Sequence, residues 1–239
     1  MSKVDLLVLA AHPDDAELGC GGTVAKHVAM GWKVAVVDFT RGELGTRGSV
    51  PERDREAAAA AKILGLTERI NLDLRDGFFQ NTEADQRKVI EAIRYFQPDI
   101  VLANAITDRH PDHGKGAQLA FDSCFLAGLE KIRTHWHGYE QKAWRPKAVY
   151  HFMQSQPIKP DFIVDVSDHW DTKMKAIRAF STQFFQPNSR EPVTFISTPE
   201  FLKMLESRAV DFGHAIGVRY GEGFTVRRTP GVNSLRDIF

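Results

Sequence analysis

Little in this chain of 239 residues is present in excess, and the shortages narrow its possible roles. Cysteine occurs only twice, as Cys20 and Cys124, far apart and each in an apolar, helix-like segment. That usage predicts buried free thiols rather than a disulfide framework, and it suits a reducing, cytoplasmic setting. Net charge is absent, with 31 Lys+Arg balanced by 31 Asp+Glu. Without a global cationic field, nucleic acid is not an expected partner. No apolar run approaches the ~20 residues of a membrane-spanning helix. The run Leu6–Ala10 is short, follows Asp5 and lacks a small-residue cleavage site, so neither a membrane span nor a signal peptide is expected. Repeats and low-complexity linkers are missing too. With 43% hydrophobic residues, the chain is expected to form one domain over residues 1–239.

What is present is an alternation of elements. Short apolar runs at Val4–Ala10, Lys33–Phe39, Arg69–Leu72 and Asp99–Ala103 read as strands buried on both faces of a parallel sheet. Between them, helical patterns span Glu17–Met30, Glu52–Leu64 and Glu83–Phe96. Gly31 and Gly65 stop the first two, Pro51 opens the second, and Pro98 separates the third from the next strand. The second half is less regular. A helix is expected over His113–Leu129, a loop over Thr134–Tyr139, strands at Lys147–Phe152 and Phe162–Val166, and helices at Trp170–Phe180 and Glu200–Ile216. The β-α-β-α order predicts an α/β fold: a single-domain Rossmann-like sandwich with a mostly parallel central sheet and helices on both faces.

Two motifs carry chemistry. Ala11-His12-Pro13-Asp14-Asp15-Ala16-Glu17 follows the first strand, and His110-Pro111-Asp112-His113 follows the fourth. A residue before proline stays extended, and proline suits the turn out of the sheet, so each run should sit at the carboxyl edge, where open α/β sheets bind ligands. His12, Asp15 and His113 supply two imidazoles and one carboxylate, a donor set for a catalytic zinc that keeps a position open for water. Such a site would bring that water's pKa towards ~7. Neighbouring residues at a helix start point in different directions, which leaves Asp14 free to face the water as a base. His110 could face the far side of a bound carbonyl. Iron or another divalent ion fits the same donors. One such segment alone would read as a turn, and an Asp-Asp pair as helix capping; two at the same edge favour a metal. His27, His151, His169 and His214 read as core or surface residues, and His135 and His137 as loop residues.

These two motifs resemble the PIG-L/LmbE-like superfamily of zinc-dependent N-acetylglucosamine deacetylases, as do Thr40–Gly48 and Gly217–Phe224. The resemblance covers nearly the whole chain. Within the superfamily it is most similar to the bacillithiol-biosynthesis branch, which deacetylates N-acetylglucosaminyl-malate. It implies zinc on His12, Asp15 and His113, Asp14 as general base, and His110 as oxyanion stabiliser or acid, helped by Asp112. It implies a small-molecule substrate containing N-acetylglucosamine (GlcNAc) and a trimeric or hexameric assembly. Relatives often carry a loop tyrosine that contacts the tetrahedral intermediate, but Gln183–Phe201 contains none, which shifts that duty towards the metal and a protonated His110.

For the aglycone, Arg53 and Arg109 are the expected carboxylate donors, because each lies near an active-edge segment and a guanidinium matches a carboxylate. Glu17 and Glu43 are expected to contact sugar hydroxyls or to support the ligands, and Arg41 and Arg47 to order the Gly-rich loop. The residues also admit competing readings. Gly19-Cys20-Gly21-Gly22 with Asp38 hints at a dinucleotide site, but Val24 stands where the third glycine belongs. Free GlcNAc or a chito-oligosaccharide would present the same acetamide as the malyl glycoside. A metal phosphohydrolase and a non-catalytic metal-binding protein also stay open.

Overall fold

A computed structural model describes residues 2–238. Among the described residues nine strands are formed: β1 (Leu6–Ala10), β2 (Val34–Asp38), β3 (Glu68–Asn71), β4 (Ile100–Ala103), β5 (His135–Trp136), β6 (Tyr139–Glu140), β7 (Ala148–Phe152), β8 (Phe162–Asp165) and β9 (Gly221–Val226). Six α-helices accompany them: α1 (Asp15–Ala29), α2 (Val50–Leu64), α3 (Glu83–Phe96), α4 (Pro111–Leu126), α5 (Trp170–Ala179) and α6 (Pro199–Ala215). Seven strands form one sheet in the order β3-β2-β1-β4-β7-β9-β8. The first five are parallel, and β9 runs antiparallel between β7 and β8. The expected α/β class with helices on both faces is the observed one.

The side-chain period of a strand explains the two cores. Leu6, Val8 and Ala10 of β1 face one cluster with residues of α1, α2, α5 and α6. Leu7 and Leu9 face the other, with residues of α3 and α4. All five residues of β1 are buried, as a central parallel strand covered on both faces requires. Among the described residues, no helix is long and apolar enough to cross a membrane.

Chain order places the site. From β1 the sheet grows to one side through β2 and β3, then restarts on the other side of β1 with β4. The β1–β4 neighbourhood is therefore the switch point, where the connections diverge and leave a crevice at the carboxyl ends. Leu9 pairs with Ala103, so the segments after both strands leave side by side.

The structure adds one strand and corrects one expectation. The second half of Gly217–Phe224 is β9, a strand not among those expected, whose Gly221 and Gly223 lie under α6, where a Cβ would press on Ile163 or on the Phe212 ring. The segment Thr134–Tyr139 is a two-stranded hairpin whose turn residues His137 and Gly138 both have positive φ. The Gly19–Gly22 run is not a nucleotide loop. It lies inside α1, where a Cβ on Gly19 would collide with the Phe152 ring, so these glycines let the helix pack closely on the sheet. Cys20 and Cys124 are free and buried, as expected.

Candidate active site

Both His-Pro-Asp segments reach the crevice. His12 and the Asp14–Asp15 pair follow β1, and His110 caps α4, its Nδ1 accepting the amide of Asp112 at 3.3 Å. Asn104, directly after β4, ties the two edges together. Its Oδ1 accepts the Ala11 amide at 2.8 Å, and its Nδ2 donates to Asp15 Oδ2 at 3.0 Å.

Asp15 stands between two imidazoles. Its Oδ2 is 3.4 Å from His12 Nδ1, and its Oδ1 is 3.1 Å from His113 Nε2. Each ring has its other nitrogen turned to a carboxylate. His113 Nδ1 donates to Asp108 Oδ2 at 2.6 Å, and His12 Nε2 faces Asp76 Oδ1 at 3.0 Å and Asp112 Oδ2 at 3.3 Å. These carboxylates take the outer N–H of each ring, so His12 Nδ1 and His113 Nε2 are the nitrogens turned towards Asp15. Carboxylates behind the imidazoles are what metal-ligating histidines characteristically have.

The electrostatics agree. Burial alone would lower both imidazoles, yet the surrounding carboxylates raise His12 well above its ordinary range and His113 to about 9. Burial alone would raise Asp15, but the two imidazoles hold it well below the usual carboxylate range. The cluster demands positive charge at its centre, which fits a divalent cation on His12, Asp15 and His113. Among the described residues, the groupings whose donor atoms all lie within 4.8 Å of one another are His12, His110 and His113, and His12, Asp76 and Asp112; Asp15 is in neither. In the second, both carboxylates meet the His12 nitrogen that faces away from Asp15, and Asp112 is already engaged by the Gly77 amide and Lys115 Nζ.

Asp14 differs from its neighbour. It is buried with φ 110° and ψ −25°, a strained position for a non-glycine residue. Arg53 holds it there: Nη2 donates to the Pro13 carbonyl at 2.5 Å and lies 3.3 Å from Asp14 Oδ2. Burial pushes Asp14 up, the Arg53 charge opposes this, and nearby Asp15 adds to the rise, leaving Asp14 at about 7. A carboxyl at that value can both take and return a proton near neutrality.

His110 lies edge-on to His12 at 4.7 Å and stacks on His113 at 5.0 Å. Burial and then the two neighbouring imidazoles lower its pKa. The shift favours the neutral ring over the expected imidazolium. Because its Nδ1 accepts a backbone amide, its Nε2 carries the proton and remains a donor.

Several expected roles change. The Asp112 carboxylate supports His12 rather than His110. Glu17 touches no part of the crevice: it is fully buried and paired with Arg69 Nη1 at 2.6 Å. Arg53 lines the cavity, but its guanidinium is spent on Pro13, Asp14 and the Gly42 carbonyl, so it positions Asp14 rather than offering a free fork to substrate. Glu43 acts at one remove, accepting the amide of Asp76, which in turn meets His12. Arg109 is exposed at the cavity, its guanidinium 4.3 Å from the Phe195 ring centroid. Arg41 pairs with Asp54 and Asp73, and Arg47 donates to Ser189, as loop-ordering residues do.

Sequence reasoning missed Asp76, Asp108, Asn104 and Gln154. Gln154 follows β7 and donates to Asp15 Oδ1 at 2.8 Å. All four come just after strands β3, β4 or β7 at the carboxyl edge, a positional signal that could have found them. The cavity itself has a volume of about 320 Å³ and runs from the histidine cluster to an apolar wall of Phe201, Met204 and Leu205 on α6.

This geometry can be set beside known proteins. The profile of the PIG-L family, described as GlcNAc-PI de-N-acetylase, matches residues 7–124, a span that takes in both His-Pro-Asp segments. A 1D-myo-inositol 2-acetamido-2-deoxy-alpha-D-glucopyranoside deacetylase of a Nocardioides species is 44% identical over 74% of this chain and 82% of its own. The chain belongs to the PIG-L family. The diacetylchitobiose deacetylase of Thermococcus kodakarensis is 29% identical over 95% of this chain and 84% of its own. The crystal structure of a conserved protein from Thermus thermophilus superposes with a TM-score of 0.85 at 34% identity, covering 96% of this chain and 98% of that one. The names of the family and of both of these curated relatives describe deacetylases.

Proposed function

We propose that this PIG-L family member is a metal-dependent N-deacetylase whose substrate is N-acetylglucosaminyl-malate, as in bacillithiol biosynthesis. The observation that carries the chemistry is geometric: the buried Asp14 carboxyl, held by Arg53, stands beside the cluster of His12, Asp15 and His113.

His12, Asp15 and His113 would hold the ion, zinc or another divalent metal such as ferrous iron. When bound it supplies Lewis acidity to the acetamide carbonyl and acidifies water. The chain's own residues do the rest. Asp14 accepts a proton from the attacking water as the new C–O bond forms. His110 donates its Nε2 proton as a hydrogen bond to the developing oxyanion without needing to be charged. Asp14 then returns its proton to the departing nitrogen as the C–N bond breaks, giving a free glucosamine amine and acetate. Asn104 and Gln154 keep Asp15 oriented, and Asp108 and Asp76 keep the imidazoles in register.

The malyl aglycone is supported by the resemblance at Thr40–Gly48 and by the exposed Arg109 guanidinium beside the cavity. The named relatives act on neutral compounds, diacetylchitobiose and a GlcNAc-inositol. The deciding experiment compares acetate release from N-acetylglucosaminyl-malate, N,N′-diacetylchitobiose and the GlcNAc-inositol glycoside with metal-loaded enzyme. Preference for the malyl compound is expected. Preference for either neutral glycoside removes the bacillithiol assignment, and no acetate from any of them removes the deacetylase one.

A further inference from the structure

Arg208 is a charge without a counter-charge of its own. It sits on α6 and lines the catalytic cavity next to Phe201, Met204 and Leu205, while its other side borders a small cleft with Glu222 and Lys173. Among the described residues its guanidinium has no hydrogen bond and no ion pair. Two carboxylates face it, Glu222 and Asp108. Both are committed elsewhere. Glu222 accepts from the Gly22 and Thr23 amides at 2.9 and 2.7 Å and from Lys173 Nζ at 2.6 Å. Asp108 accepts from His113 at 2.6 Å and from the Gln156 amide at 2.7 Å.

Two other arginines of the cavity are hydrogen-bonded, and a third, Arg109, is exposed to solvent. Arg53 holds Asp14, Arg47 donates to Ser189 and Arg109 lies against Phe195. Arg208 presents an unused planar fork beside the apolar wall of Phe201, Met204 and Leu205. There a guanidinium is poorly solvated and gains most from a bidentate oxyanion.

We propose that Arg208 is the specificity-determining residue of this site, and that it receives a carboxylate carried by the substrate's aglycone. The proposal rests on the deacetylase reading above and adds the residue that selects an acidic glycoside over a neutral one. Its rival is a purely structural role, in which Arg208 balances Glu222 and touches no substrate.

The test uses full-length, metal-loaded enzyme and its Arg208→Met and Arg208→Lys variants. KM and kcat are measured for N-acetylglucosaminyl-malate and for the neutral N,N′-diacetylchitobiose. In Arg208→Met the kcat/KM ratio of malyl to neutral substrate should fall by ~10- to 100-fold, the range of a lost charge-assisted hydrogen bond. The fall should come mainly through KM, with partial recovery in Arg208→Lys. An equal loss on both substrates, or an unchanged KM for the malyl compound, overturns the proposal and leaves the deacetylase reading intact. A wild type that prefers the neutral substrate overturns it as well. Wild type that releases acetate from neither substrate overturns the deacetylase reading and this inference with it. Should Arg208→Met fail to fold, product inhibition of the wild type decides. Glucosaminyl-malate should inhibit chitobiose hydrolysis at far lower concentration than glucosamine, and equal inhibition counts against the proposal.

Discussion

Asp15 and Glu17 stand two residues apart at the start of α1, both buried, and they belong to opposite kinds of charge cluster. Glu17 faces away from the crevice into a sealed group, where Arg69 bridges it to Asp38 at 2.6 and 2.7 Å. The positive charge there is fixed, because a guanidinium paired with two carboxylates does not lose its proton. Asp15 faces the open crevice, where its partners are imidazoles. Their charge is conditional, supplied by protons or by a cation. Less than one helical turn thus separates a permanent ion group that holds the sheet to its helix from an exchangeable one that can do chemistry. Burial alone does not distinguish them; the pKa of the partner does.

The largest effect should come from Asp14→Asn. Replacing a general acid–base group costs about 10²- to 10⁴-fold in kcat. Bound metal, measured by elemental analysis, should remain near the wild-type amount, and a variant that keeps full activity with metal bound would remove Asp14 from the mechanism. Next comes Arg69→Met, which leaves Glu17 and Asp38 buried without their cation. It should destabilise the fold by about 3–5 kcal/mol, as broken buried pairs do. At roughly 2–4 °C per kcal/mol for a chain of this size, thermal melting should show a fall of at least about 6 °C. An unshifted melting temperature would erase the contrast between the two clusters.

Asp108→Asn tests the open cluster from behind. Loss of an orienting partner of a ligating histidine typically lowers metal affinity by about 10- to 100-fold. Competition with a chelator measures this, and unchanged affinity would mean that His113 needs no carboxylate. The smallest effect is a shift rather than a loss. Burial raises Asp14 while Arg53 and, less strongly, His12 pull it down, so Arg53→Met removes the larger opposing charge. Asp14 then holds its proton to higher pH, and the acid limb of the kcat/KM profile should move upward. A limb that moves down or stays in place would separate Arg53 from Asp14.

Much of the fold was legible because buried parallel strands and capped helices leave local signatures. The α3 helix was expected at Glu83–Phe96 and occurs there, opened by the Thr82 side chain accepting the Asp85 amide. β9 was hidden because Gly221 and Gly223 weaken the strand signature, and what requires them is α6 lying against them. The hairpin at His135–Glu140 was hidden because each strand is only two residues long.

The two His-Pro-Asp segments and the strand order were enough, from sequence alone, to bring His12, Asp14, Asp15, His110 and His113 to one edge of one sheet. Covalent order fixes which residues leave which strand end, and proline fixes the turn. Tertiary structure decided the rest: that Glu17 seals a core while Asp15 meets the histidines, that Arg53 locks Asp14 rather than a substrate, that Asp112 supports His12, and that Arg208 reaches the cavity from a helix far beyond His113 in the chain. Those outcomes depend on which side chains meet across the sheet. A carboxylate or guanidinium has no role until its nearest opposite charge, and that charge's own commitments, are in place.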